Sequence, residues 1–139
     1  DFKKQSLLLV PEIILTNQIA LKIQEVFWKE VIIITSQTSQ TKKTQYYEMI
    51  FNWTAKIIIW TRSALFYPYS DLWIIIVDEE HDNSYLSDKS PRYNWIEVVN
   101  KICDLTWVKI LLWSGTPKIN HTYDGLKWNY KILNLFEEY

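Results

Sequence analysis

The sequence predicts an α/β domain: a parallel sheet flanked by helices. Three observations predict it. Short runs of β-branched and aliphatic residues lack polar alternation, segments of helical period lie between them, and polar or charged residues follow the runs directly. Strands that are apolar on both faces belong to sheets covered on both sides. Ligands of such sheets bind beyond the carboxyl ends of the strands.

Taken in order, Ser6–Val10 is an apolar run closed by Pro11, which predicts a buried strand ending in a turn. Thr16–Phe27 carries Ile19, Ala20, Ile23, Val26 and Phe27 at helical spacing, with Thr16 as its N-cap. Val31–Ile34 is the second strand and Ser39–Phe51 the second helix, with Tyr46, Tyr47, Ile50 and Phe51 as its apolar residues. Lys56–Trp60 and Trp73–Val77 are two further strands. Tyr93–Cys103 places Ile96, Val99 and Cys103 on one helical face. Val108–Trp113 is the next strand, and Tyr130–Leu135 is expected to be another. Four runs end on residues with chemistry: Pro11-Glu12, Thr61-Arg62-Ser63, Asp78-Glu79-Glu80-His81 and Ser114-Gly115-Thr116.

Composition narrows the field. A chain of 139 residues can bury one core. Its formal net charge of −1 supplies no overall field toward nucleic acid, so any DNA contact must be local. No apolar run reaches the roughly 18 residues of a membrane span. Asp1-Phe2-Lys3-Lys4 leads directly into a strand with no signal-peptide cleavage region, and the lone Cys103 excludes an internal disulfide. A cytoplasmic protein without membrane contact is expected.

The strongest local pattern is Ile74-Ile75-Ile76-Val77-Asp78-Glu79-Glu80-His81-Asp82. A hydrophobic strand that delivers two acids to its carboxyl end suits nucleotide hydrolysis: one acid holds Mg²⁺ and the next orients and deprotonates water. A plain charged turn after a buried strand fits the same residues.

The neighbours decide between them. Leu9-Val10-Pro11-Glu12-Ile13-Ile14-Leu15-Thr16, Thr61-Arg62-Ser63-Ala64-Leu65-Phe66, Asp78–Asp82 with Ser84-Tyr85, Pro91-Arg92-Tyr93 and Ser114-Gly115-Thr116-Pro117 occur in that order. This series resembles the first helicase lobe of the PriA (primosomal protein N′) family of replication-restart helicases, in superfamily 2. The resemblance runs from about Ser6 to Leu135. It implies a RecA-like P-loop NTPase fold truncated at its N-terminus. Residues 1–135 would be a partial helicase ATP-binding domain and 136–139 the start of the connection to a second lobe.

The resemblance also implies roles. Asp78 would coordinate Mg²⁺ of an Mg-ATP cofactor, and Glu79 would be the catalytic base. His81 with Ser114, Gly115 and Thr116 would couple the nucleotide site to DNA movement. Pro11, Glu12, Thr16, Thr61, Arg62 and Ser63 would line a single-strand track, and Tyr85, Arg92 and Tyr93 would contact or sense bases. On physical grounds Arg62 can pair a phosphate while hydroxyls position the strand without reading sequence. Each residue also has a plainer role available: Arg62 in a surface ion pair, Tyr85 and Tyr93 as packing between helix and sheet, Thr16 as a cap alone. His121 has no motif around it and is expected at the surface.

The resemblance further implies single-stranded and forked DNA as partners, with primosome and single-strand-binding proteins for the whole enzyme. No Gly-x-x-x-x-Gly-Lys-Ser/Thr loop occurs in the 139 residues. The expectation is therefore a piece of a longer 3′→5′ helicase, inactive alone, whose zinc-binding cysteines lie downstream. Leu86 and Ile96 depart from the family, which has Lys and Arg there. Another superfamily 2 translocase, or a degenerate non-catalytic remnant that binds nucleic acid, are the competing functions.

Eight Trp stand against two Gly, where glycine is ordinarily about 7% of residues. Trp60, Trp73 and Trp113 occupy family glycine positions. Trp28, Trp53, Trp107 and Trp128 fall at turns, where positive φ favours glycine; Trp95 is less clear. The expectation is that UGA codons read as glycine in the source organism appear here as Trp. Genuine Trp in core or surface roles is the alternative.

Overall fold

The computed structural model describes residues 4–11, 17–27, 30–35, 37–60, 62–86, 92–127 and 130–134; of 17–20, 60, 62 and 63 it describes the backbone alone. Five strands, β1 (Gln5–Leu9), β2 (Val31–Ile34), β3 (Ile57–Trp60), β4 (Leu72–Val77) and β5 (Lys109–Leu112), form one sheet in the order β2-β3-β1-β4-β5. All four pairings are parallel. The helices are α1 (Asn17–Phe27), α2 (Gln40–Phe51), α3 (Trp95–Thr106) and α4 (Ile119–Leu126). Short 3₁₀ turns span Arg62–Phe66 and Asn83–Tyr85. The expected α/β architecture is present, and five of the six expected strands fall within a residue or so of the observed ones.

Period-2 alternation sorts each strand onto two faces. Leu7, Leu9, Ile32, Ile34, Ile58, Ile75 and Val77 point to one side and form the main core with Ile50 of α2 and Trp95, Ile96 and Val99 of α3. Val31, Ile33 and Ile59 point to the other side and pack with Leu8 and with Ile23 of α1. On this second face Trp73 of β4 and Leu111 of β5 remain exposed, and the Lys109 ammonium lies 4.7 Å from the centre of the Trp73 ring. Burial on both faces thus holds for the β2-β3-β1 half of the sheet and weakens toward β5.

At the amino ends of the strands a buried Gln5 ties the layers together. Its amide nitrogen donates to Ile50 O (2.8 Å) and Ala55 O (3.0 Å), and its oxygen accepts from Ser70 N (2.9 Å) and Asp71 N (3.2 Å). All four bonds of the side chain are made, as a fully buried amide requires.

Helix boundaries follow local chemistry. Ser39 caps α2 by accepting from Lys42 N, and Asn94 caps α3 by accepting from Ile96 N. α3 ends at Trp107, whose backbone is left-handed (φ 62°, ψ 11°). Trp53, just past the end of α2, has φ 66°. Both are positions where helices commonly end on glycine.

One expected element is corrected. Residues 130–134 form no strand. Tyr130 instead turns to α3, its hydroxyl donating to Asn100 Oδ1 at 2.8 Å, and Ile132 packs onto Gly125 so closely that a Cβ there would lie 2.6 Å from it. The segment is held by helix contacts rather than by a ladder.

Candidate active site

The apolar run of β4 ends at Val77, and Asp78 N donates to Leu9 O (3.0 Å) at the end of β1. This places the acidic turn at the carboxyl rim, next to the central strand. The turn is tight because Glu79 is left-handed, with φ 47°. Glu79 N donates to Asp78 Oδ1 (3.1 Å), and Asp82 N donates to Glu79 O (2.8 Å). A non-glycine residue in this region stores of order 1–2 kcal/mol of strain.

The end of β5 joins the same rim. Trp113 N donates to Val77 O (2.9 Å) and Glu80 N donates to Trp113 O (3.1 Å), so the two strands stay bonded into their loops. Beyond them His81 Nδ1 lies 2.8 Å from Ser114 Oγ and 3.4 Å from Glu79 Oε2. Ser114 Oγ also accepts from Thr116 N (3.0 Å). Nδ1 thus faces both the Ser114 hydroxyl and the Glu79 carboxylate, and which of His81 and Ser114 donates follows the imidazole tautomer. The expected grouping of Asp78, Glu79, His81, Ser114 and Thr116 is therefore assembled in space. Gly115 sits in the same loop with open space around its Cα.

Asp82 caps the Asn83–Tyr85 turn by accepting from Ser84 N at 2.6 Å, and this bond holds its carboxyl below the usual carboxylate range. Tyr85 has been drawn inward. It is 2% exposed, and its hydroxyl donates to Asp78 O (2.7 Å), with Leu9 O 3.2 Å away. Burial, then the nearby Asp78, Asp82 and Glu79 charges, push its pKa upward, so it stays a donor. This corrects the expected base contact: a ring with no free face cannot stack on a base. Pro11 is likewise buried at the end of β1, so its ring offers no surface to a strand.

Of the remaining expected DNA contacts, Glu12, Thr16 and Thr61 lie outside the described residues. Arg62 and Ser63 lie on the 3₁₀ turn after β3, where the backbone alone is described. Arg92 and Tyr93 are exposed. Tyr93 meets Trp95 edge-on (4.8 Å between centres), and Trp95 in turn packs on Phe66 (5.8 Å). Tyr93 and the 3₁₀ turn are thereby brought together through Trp95. Trp95 is buried, and its indole nitrogen has no acceptor among the described residues.

His121 is corrected as well. It is not a surface residue: its side chain is 17% exposed, and Nδ1 donates to Glu80 Oε2 at 2.6 Å. Glu80 itself is 1% exposed. Sequence reasoning missed this pair because its members lie 41 residues apart.

Among the described residues no group of three His, Cys, Asp or Glu side chains could hold a metal ion. A metal at the rim must therefore draw most of its ligands from elsewhere. Mg²⁺ fits that donor set, because it is commonly bound by one or two carboxylates together with phosphate oxygens and water. Asp78 and Glu79 supply carboxylates of that kind. Among the described residues no helix is long and apolar enough to cross a membrane.

Comparison with known proteins agrees with this geometry. Residues 1–124 match the DEAD/DEAH box helicase family, whose members use ATP and Mg²⁺. The chain is 42% identical over 118 residues to the replication restart protein PriA of Helicobacter pylori, covering 85% of this chain and 19% of that protein. It is 33% identical over 132 residues to PriA of Bacillus subtilis, covering 95% and 16%. It is 34% identical over 134 residues to PriA of Haemophilus influenzae, covering 94% and 18%. The chain thus spans about a fifth of the length of the curated relatives it matches. With an all-parallel sheet whose fourth strand carries an acid pair to the rim, the chain belongs to the DEAD/DEAH box helicase family, as a segment of the PriA type.

Proposed function

We propose that the protein carrying this chain is an ATP-dependent DNA helicase that moves 3′→5′ and acts in replication restart and primosome assembly in the cytoplasm. The observation that carries the reading is the placement of Asp78 and Glu79 at the carboxyl end of β4, with His81 bonded to Ser114 at the end of the adjacent β5. Residues 1–135 would be part of the ATP-binding lobe and 136–139 the start of the connection to a second lobe. Forked and single-stranded DNA would be its substrates. Single-strand-binding and primosome proteins would be its partners.

In this reading Asp78 holds Mg²⁺, which would neutralise charge on the phosphates. Glu79 takes the proton of the attacking water. His81 Nδ1 lies 3.4 Å from that carboxylate and also meets the Ser114 hydroxyl. Movement of the Ser114–Thr116 loop is thereby felt at the base, and movement of the base at the loop. Arg62, Arg92 and Tyr93, with Glu12, Thr16, Thr61 and Ser63, would follow one strand of DNA by phosphate pairing and stacking rather than by reading sequence.

The test is steady-state ATP hydrolysis by the full-length protein, with and without single-stranded DNA. Glu79→Gln keeps the size and the acceptor oxygen but removes the base, so turnover should fall at least about 100-fold with ATP binding retained. Turnover within about threefold of wild type would remove Glu79 from the chemistry. Absence of Mg-ATP binding by the wild-type protein would favour a non-catalytic remnant.

A further inference from the structure

We infer that Glu80 and His121 are a pair of positioning residues that clamp the start of α4, and with it the Ser114–Thr116 loop, onto the acid-bearing end of β4. The inference rests on the helicase reading for its consequence in turnover, but its geometry stands without it.

α4 begins after Lys118, and this N-cap residue contributes no side-chain cap. The N–H of Lys118 itself finds its acceptor 38 residues away. Glu80 Oε1 accepts from Lys118 N at 2.6 Å. In a capping box the third helical residue is a Glu or Gln that reaches back to the N-cap N–H. Here that third position is His121, and it donates to the other oxygen of the same carboxylate, also at 2.6 Å. The box is split between two elements. A carboxylate at the positive end of a helix is favourable, and one that is 1% exposed must have its oxygens satisfied.

Glu80 therefore has a different task from its neighbours. Both of its oxygens accept bonds from α4 and its side chain is 1% exposed, which sets it apart from a base or metal ligand open to the rim. Its backbone N–H is bonded to Trp113 O, one residue before Ser114. Glu80 thus grips the four-residue stretch between Trp113 and Lys118 from both ends, and that stretch contains Ser114, Gly115 and Thr116. His121 extends the hold to α3: its ring meets Tyr130 edge-on at 6.5 Å, and Tyr130 donates to Asn100.

The test uses the full-length protein and two readouts, amide hydrogen exchange at Lys118–Thr122 and DNA-stimulated ATP hydrolysis. Glu80→Ala should raise exchange at Lys118 about tenfold while β4 stays protected. It should lower the DNA-stimulated kcat about tenfold with KM for ATP within about twofold. Glu80→Gln should restore most of both, since its amide oxygen still accepts from Lys118 N and His121 can switch tautomer to accept from its NH₂. His121→Ala should repeat the defect and His121→Asn relieve it, which keeps the comparison available if Glu80→Ala does not fold. Unchanged exchange at Lys118 in both alanine variants overturns the clamp. So does a Glu80→Gln protein as slow as Glu80→Ala, which would put the charge itself into the chemistry. If wild type hydrolyses no ATP, the helicase reading fails, and exchange at Lys118 alone decides the clamp.

Discussion

Trp107 and Trp53 offer a direct measurement of what the backbone asks for. Both are left-handed, at φ 62° and 66°, and Trp107 is 94% exposed, so its indole contributes almost no burial. An L-residue in this region costs about 1–2 kcal/mol, whereas glycine adopts it freely. Against that gain stands the extra freedom glycine gives the unfolded chain, about 0.4–1 kcal/mol. Trp107→Gly should therefore stabilise the fold by roughly 0.5–1 kcal/mol. Trp53 is 43% exposed and gives up more contact, so Trp53→Gly should gain less. The two sites end different helices, and the double variant should be close to additive. The matched control is Trp73→Gly. That residue lies inside β4 beneath Lys109, where glycine should cost about 1 kcal/mol. Urea unfolding at constant m-value reads all four variants. If Trp107→Gly destabilises, the strain argument is wrong. The proposal that these Trp stand for glycine codons is tested separately by the coding DNA: UGG at the eight positions, or an intact mass matching eight indoles, ends it.

Glu79→Gly should keep the turn and relieve the strain at φ 47°, raising stability by up to about 1 kcal/mol while abolishing hydrolysis; loss of stability would mean the Glu79 contact to His81 outweighs the strain. Gln5→Leu should cost about 2–4 kcal/mol in urea unfolding, because the N–H groups of Ser70 and Asp71 and the carbonyl of Ala55 lose a buried partner. Tyr85→Phe removes only the hydroxyl and should cost about 1 kcal/mol; because the ring is buried, affinity for single-stranded DNA should not change, and a loss of affinity would reinstate base contact. Cys103 has its pKa pushed up to about 11 from an ordinary 9.0, first by burial and then by Asp104. Since only the thiolate reacts, alkylation of the folded protein at pH 8 should be about 100-fold slower than in urea and should rise with pH toward 11.

The fold was legible because its signal is short-range. Uninterrupted four-residue runs such as Val31–Ile34 and Ile57–Trp60 are too short for helices and suit strands of a covered sheet, which puts the acids after Val77 at a rim. What was not legible depends on where the chain turns. Tyr85 fits base contact and packing equally from its sequence, and only the Asp82-capped 3₁₀ turn that folds it back beneath Asp78 decides for packing. Nothing near His121 announces a partner. The available signal was indirect: an N-cap Lys118 with no capping side chain, and a third acid at 80 that neither metal nor water required. Gln5 could have been noticed as an amide opening an apolar strand, but its four partners come from three separate segments.

The acidic turn shows why one short motif can do three things. Asp78 follows directly on β4, with its N–H donating to Leu9 O and its Oδ1 accepting from Glu79 N. The left-handed Glu79 then reverses the chain, so consecutive side chains no longer alternate between two faces. Glu79 is turned outward, its side chain 38% exposed, whereas Glu80 is 1% exposed beneath α4. An ordinary β or α residue at 79 would send 80 in another direction and leave Lys118 without its acceptor. The strain at 79 is therefore tied to the clamp at 80: both follow from a single backbone angle, and a change of that angle is felt at both.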